Sequence, residues 1–376
     1  WARTYALGCY LLTQLARVGT ILFGVSLGLS ALTGWSLPVI IMVAGLAVTA
    51  YTLIGGIEAV IWTDVVQSLV LLAGAIIITL LLIVNHPHGA GEALHVAAEA
   101  DKFSLGSFAL DATTATFWVV LLYGLFINLN NFGIDQSFVQ RYHAARDDRA
   151  AARSVWTGAL LYVPVAALFF LIGSLLFSFY QSSPELLTAL KEAHPDGHAD
   201  QALPHFIATQ LPPGVAGLLI AALVAAAMSS IDTSLNSAAT VTLKDFVQRH
   251  LKRGQTEADS LKILRGGTLI WGILGTGAAL AMIGQKSLLD AWWKLSGIFA
   301  GGMLGLFLLG LAARRADRAG AIIGVCIGVL VICWMTFPAY FPDWLRSPFH
   351  AHMITVLGTL TIFAVGLLVT GYRRRS

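Results

Sequence analysis

Seven polar residues fall within nine positions of one otherwise apolar run. They are Ser229, Ser230, Asp232, Thr233, Ser234, Asn236 and Ser237, inside LIAALVAAAMSSIDTSLNSAATVTLKD from Leu219 to Asp245. Ala226, Ser229 and Ser230 stand at i, i+3, i+4 and share a helix face. They offer a backbone carbonyl and two hydroxyls. Ser229, Asp232 and Thr233 repeat the pattern one turn on and add a carboxylate. Hard cations prefer such oxygens, so this helix reads as half of a Na+ site. Spacing alone allows another reading, because Ser, Thr and Ala also let membrane helices approach closely and hydrogen-bond. A carboxylate at that depth needs a partner, which favours the ion.

Arg17 sits near the middle of an apolar helix with no acid within a turn. A buried guanidinium keeps its charge and needs an anion. It would either clamp a substrate carboxylate in bidentate fashion or pair structurally with Asp64, Asp135 or a carbonyl. Asn128, Asn131 and Asp135 lie at i, i+3, i+7 on one stripe with Gln136 beside it. Such amides and carboxylates can bind the hydroxyls of a polyol-like solute or hydrogen-bond between helices.

The elements that must hold these groups follow from composition. Hydrophobic residues make up 57% of the chain and charged residues 11%, against about 25% charged in soluble proteins. The expected class is an all-α polytopic membrane protein. Ten apolar segments are drawn: 5–31, 38–53, 59–84, 115–139, 154–179, 215–247, 263–283, 288–312, 319–337 and 353–372. Most approach the ~20 residues a span requires. Gly55-Gly56 is expected to break the second segment from the third. Alternating sides places seventeen Lys and Arg on one face and five on the other, with Arg17 left inside the membrane. The positive-inside rule then makes the C-terminus cytoplasmic, and the loops 85–114 and 181–204 fall outside.

Several classes are disfavoured. Cys9, Cys326 and Cys333 show no paired spacing, so neither a disulfide framework nor a metal knuckle is indicated. His86-Pro87-His88 has no further ligand nearby to complete a metal set. There is no Gly-rich phosphate loop and no hydrolase triad. The arginines from Arg149 to Arg153 read as an inside-facing loop and not a nucleic-acid patch. On the segment 288–312, Ser296, Gly297, Gly301 and Gly302 suit close packing or a bending gate, and Lys294 reads as a snorkelling cation.

Four stretches carry a resemblance. YTLIGGIEAVIWTDVVQ (51–67), NNFGIDQSFVQRYHAA (130–145), AAAMSSIDTSLNSAAT (225–240) and LFLLGLAARRADRAGAIIGVCIG (306–328) resemble signature stretches of the sodium:solute symporter family, in the same order. The resemblance implies a LeuT-like fold of two inverted five-helix repeats, forming a single transmembrane domain over 1–376. Substrate and Na+ would bind mid-membrane beside broken helices. It further implies that the segment 5–31 matches the third helix of the first repeat, so that the preceding core helices are absent from this chain. The main sodium site then maps onto Ala226, Ser229 and Ser230. A second site maps onto Asp64 with Ser229, Asp232 and Thr233, where Asp232 replaces an expected hydroxyl. The helix of Asn128, Asn131, Asp135 and Gln136 would be broken and face the pocket, with Gly133 permitting the break. Sialic acid carriers of the family resemble this chain in placing an arginine where Arg17 stands.

The expected function is Na+-coupled symport of a small organic solute bearing a carboxylate, such as sialic acid, through a bacterial inner membrane. No bond is made or broken, so the chain is not read as an enzyme. The alternatives are a Na+-coupled carrier of a neutral sugar and a symporter-like sensor module. The partners are the solute, sodium and the lipid bilayer, with no nucleic acid; oligomeric state is left open.

Overall fold

The computed structural model describes residues 1–193, 198–251, 256–284, 288–312 and 317–373. Among them every regular element is a helix, with no strand. The side chains of 285–298, including Lys294, Ser296 and Gly297, lie outside the described residues.

Helix α1 spans Ala2–Thr33 and ends on Gly34, whose φ of 71° closes it with a bond back to Ser30. Helix α2 is continuous in hydrogen bonding from Leu37 to Val84, 48 residues. A straight helix of that length would run about 72 Å, over twice the ~30 Å hydrocarbon layer. It is not straight. The Tyr51 hydroxyl lies 2.7 Å from Thr63 Oγ1, whereas twelve residues of straight helix rise about 18 Å. The chain therefore turns back between these two residues, which bracket the expected Gly55-Gly56 break. Its limbs, Leu37–Gly55 and Val60–Val84, are each apolar enough to cross a membrane.

Helix α3 (Ala90–Glu99) follows, then α4 (Phe117–Ile134) and α5 (Gln136–His143). The single helix expected over 115–139 is thus two. Asp135, at φ −73° and ψ 119°, closes α4 and opens α5. Next come α6 (Asp148–Gln181), α7 (Pro184–Ala193), α8 (His198–Gln210) and α9 (Pro213–Val241). Helix α9 widens into π-type turns over Thr242–Leu251. Helices α10 (Glu257–Ala281), α11 (Leu288–Ala312), α12 (Arg318–Thr336) and α13 (Met353–Arg373) complete the chain.

Nine stretches among the described residues are long and apolar enough to span, and the apolar part of α11, Phe299–Ala312, stands beside them. These match the ten expected segments. The ends differ where a polar side chain caps the helix. Asp147 accepts from the Ala150 N–H and starts α6 six residues before the expected Ser154. Thr256 accepts from the Asp259 N–H and starts α10 early in the same way.

The two regions expected to be outer loops contain α3, α7 and α8. Their short apolar faces are buried with Leu82, Leu175 and Phe179 through Ala93, Leu190 and Phe206. That burial, invisible to a span-length criterion, is what orders them. A second cluster ties α1, the first limb of α2, α9 and α10 together through Leu22, Ile41, Ile231, Leu235 and Ala279. Small residues allow the close approaches. A Cβ on Gly324 of α12 would stand 2.7 Å from the Ile362 carbonyl oxygen of α13. Gly301 of α11 presents its carbonyl to Thr359 Oγ1 of α13 at 3.1 Å, which is the close-packing role.

Candidate functional site

The break at Asp135 explains much of the site. An interrupted helix exposes backbone groups that need partners. The Asp135 carboxylate supplies one by accepting from the Ser137 N–H at 2.8 Å. The same carboxylate, 1% exposed, accepts from the Tyr10 hydroxyl at 3.3 Å and from Arg17 Nη2 at 3.2 Å, both on α1. Asp135 therefore serves as a helix cap and as the counter-ion of Arg17. Expected as a substrate contact, it has its oxygens taken up inside the protein in this structure.

A cavity of about 680 Å³ opens between α1, the α4–α5 break and α9. Arg17, Asn131, Ser229, Ser230 and Thr233 are in its wall. Chain positions more than 200 apart are thus gathered around one space. The Arg17 side chain is 19% exposed, so its guanidinium meets both Asp135 and the cavity. Ala226 lines an adjoining cavity of about 410 Å³, and Ser230 is in the walls of both. The three residues of the expected main sodium site therefore share one face of α9 at the junction of the two spaces.

Three expected substrate contacts, Asp135, Asn128 and Gln136, are not in that wall. Asn128 is exposed and its side-chain amide donates to the Gly124 carbonyl of its own helix at 2.7 Å. Gln136 opens α5 and is half-buried.

The residues of the expected second sodium set are linked by side-chain hydrogen bonds. Asp64, Ser229 and Thr233 come together: the Ser229 hydroxyl donates to Asp64 Oδ1 at 2.5 Å. Asp64 Oδ2 accepts from Arg141 Nη2 at 2.5 Å, and the same nitrogen donates to Thr233 Oγ1 at 3.0 Å. A guanidinium thus already provides positive charge among these oxygens. Asp232, fully buried, accepts from the Tyr51 hydroxyl at 2.9 Å and from Thr233 Oγ1 at 3.4 Å. Thr233 thus stands between the two carboxylates, accepting from the arginine that Asp64 holds and donating to Asp232.

Sequence reading missed Arg141, Ser137, Thr20 and Phe138, all in the cavity wall. Arg141 was counted among the inside-facing charges. Its spacing of i+4 from Ser137 on α5 was the available signal. Thr20, at i+3 from Arg17, could have been found in the same way. Asp200 of α8 also borders the cavity. Nothing in a polar outer segment foretold that, since it depends on how α8 folds back over α1.

A helical membrane protein with a mid-chain cavity between a broken helix and an oxygen-bearing helix has the architecture of an ion-coupled carrier. The sodium:solute symporter family matches residues 5–328, and the chain belongs to that family. It is 32% identical over 363 residues to the sodium/sialic acid symporter SiaT of Proteus mirabilis, covering 96% of this chain and 72% of that protein. It is equally 32% identical to the sodium/sialic acid symporter NanT of Aliivibrio fischeri, over 96% of this chain and 69% of that one. A solved structure of a Na+-coupled sialic acid symporter, in a substrate-bound outward-open state with a novel Na+ site, superimposes with a TM-score of 0.86 at 31% identity. That match covers 99% of this chain and 74% of the other. The fold is accordingly the LeuT-like one, the protein is a transporter and not an enzyme, and sodium is its coupling ion.

Proposed function

We propose that this protein drives uptake of sialic acid, or a similar acid sugar, with the sodium gradient. The observation that carries this reading is Arg17, a guanidinium in the wall of the same cavity as the hydroxyls of Ser229 and Ser230. An anion-binding group and a cation-binding group then share one space, so solute and ion favour the same conformation. Such shared preference is all that coupling requires. The named specificity of the similar symporters supports the same solute class.

In this mechanism Na+ is held by the Ala226 carbonyl and the Ser229 and Ser230 hydroxyls. The solute carboxylate meets Arg17, and Asn131 takes a hydroxyl. Asp135 holds the guanidinium in place. The distribution of Lys and Arg supports a cytoplasmic C-terminus, and the bacterial relatives support a bacterial inner membrane. A second reading, a neutral sugar as solute, draws on the Arg17–Asp135 pair, since Arg17 already has an anion.

The test is uptake of labelled sialic acid into proteoliposomes made with the protein that carries this chain, with and without an inward sodium gradient. Sodium-dependent uptake lost in Ser230→Ala and in Arg17→Ala is the expected result. Uptake indifferent to sodium that survives Ser230→Ala would remove the ion site. Sodium-driven uptake of glucose or galactose that survives Arg17→Ala would keep the coupling and replace the solute.

A further inference from the structure

Large apolar side chains are exposed along the spans, where lipid covers them. At one end of the bundle they continue past the span ends. The run 103–110, FSLGSFAL, lies between α3 and α4 and contains no charge. Its Phe103, Leu105, Phe108 and Leu110 are all exposed, Leu110 by 91%. The run 337–342, FPAYFP, follows α12 and is also uncharged. Tyr340 within it is 85% exposed, and Trp344 just after it 82%. An apolar surface of this kind marks a place of interaction.

Both runs are strapped to the ends of spans. The first two residues of α4 hold the first run. The Phe117 N–H donates to the Ser107 carbonyl at 2.9 Å, and the Trp118 indole donates to the Phe108 carbonyl at 3.1 Å. In the last turn of α12, the Trp334 indole donates to the Leu345 carbonyl at 2.6 Å. The two segments then meet, because the His350 N–H donates to the Ala112 carbonyl at 2.9 Å. The exposed side chains are therefore held at the level where α4 and α12 end.

We propose that these two segments form one interfacial anchor, seated in the headgroup–acyl boundary of the leaflet opposite the C-terminus, with lipid as the partner. The patch continues a lipid-facing surface: Leu121 and Leu125 of α4 and Ile327 and Leu330 of α12 are exposed further along the same helices. Its most exposed rings are Tyr340 and Trp344, and such rings, apolar in body and polar at one edge, concentrate at that boundary. The two charges between 337 and 349, Asp343 and Arg346, pair at 2.6 Å and leave that segment with no net charge. The anchor rests on the chain crossing a membrane and not on the identity of its solute.

The test places one spin label at a time, through Leu105→Cys or Trp344→Cys, on the full-length protein with its native cysteines replaced by alanine. The protein is held in phosphatidylcholine nanodiscs. Collision with oxygen, which enters the bilayer, is compared with collision with a water-soluble nickel chelate. Leu330→Cys, exposed on α12, supplies the lipid reference, and Glu99→Cys, exposed on α3, the water reference. Both labels are expected to meet less nickel than the label at 99 and nearly as much oxygen as the label at 330. Nickel access equal to that at 99, for either label, would overturn the proposal and put that run in water. Low access to both reagents would overturn it too, since a soluble partner or a second copy then covers the patch. A second measurement keeps the indole and the native cysteines. Quenching of tryptophan emission by phosphatidylcholine brominated near its headgroup should fall in Trp344→Phe, and unchanged quenching would overturn the placement of Trp344.

Discussion

Arg141 Nη2 stands 2.5 Å from Asp64 Oδ2, joining α5 to the second limb of α2 across the foot of the candidate site. The same nitrogen reaches Thr233 of α9, so one guanidinium holds three elements. Arg141→Gln should lower stability by about 1–3 kcal/mol, less than a fully buried pair because the arginine side chain is 37% exposed. It should also make sodium more stabilising. With the guanidinium gone, Asp64, Ser229 and Thr233 present uncompensated oxygens, and an ion binding only the folded state raises its stability. Thermal melting with sodium against choline, at equal ionic strength, checks this. A sodium effect no larger in Arg141→Gln than in wild type would argue that Arg141 does not take the place of a cation there.

Asp135 supports both the α4–α5 break and Arg17, so its two roles should separate by substitution. Asp135→Asn keeps a capping oxygen for the Ser137 N–H but loses the ion pair, and should cost about 1–2 kcal/mol. Asp135→Ala loses both and leaves Arg17 facing an apolar methyl, and should cost about 3 kcal/mol or more. Melting of the two variants in the same detergent tests the order; equal losses would mean that the cap contributes nothing.

Two glycines on different helices should respond with opposite signs. A Cβ on Gly324 would meet the Ile362 carbonyl oxygen at 2.7 Å and the Gly366 nitrogen at 3.1 Å, both backbone atoms that cannot swing away. Gly324→Ala should therefore separate α12 from α13 and destabilise by about 1–3 kcal/mol. Gly277 of α10 has nothing within 4 Å of its added Cβ. Gly277→Ala should be neutral or slightly stabilising, by up to about 1 kcal/mol from helix propensity. Melting temperatures that fall together would show that the contact geometry does not decide the outcome.

His86, just beyond the second limb of α2, is 4% exposed and its Nε2 lies 3.1 Å from Ser178 Oγ. Burial pushes its pKa below the ordinary 6.5. The folded state therefore binds a proton less readily than the unfolded chain. Its contribution to stability is fully present above pH 6.5 and is lost as pH falls through the lowered value. His86→Asn should flatten the pH dependence of melting between neutral pH and about pH 5, the range in which an ordinary histidine titrates. An unchanged profile would place the proton elsewhere.

The spans and the polar stripe of α9 were readable from sequence because both are local. Hydropathy over ~20 residues and the 3.6-residue period need no knowledge of neighbours. The break in the helix of Asn131 was readable from the family resemblance. Its position two residues beyond Gly133 was set by a capping carboxylate. Short helices α3, α7 and α8 escaped because their burial depends on α6 and on the second limb of α2.

Sequence by itself determined which residues must find partners: Arg17, Asp64, Asp135 and Asp232 are charges at membrane depth, where none can stand alone. It could not determine the pairing. Arg17 meets Asp135, 118 positions away, Arg141 meets Asp64, 77 away, and Asp232 meets the Tyr51 hydroxyl, 181 away. Any of these acids would have satisfied either arginine chemically. The choice was made by the turn in α2 and the break at Asp135, which decide which side chains come within hydrogen-bond reach.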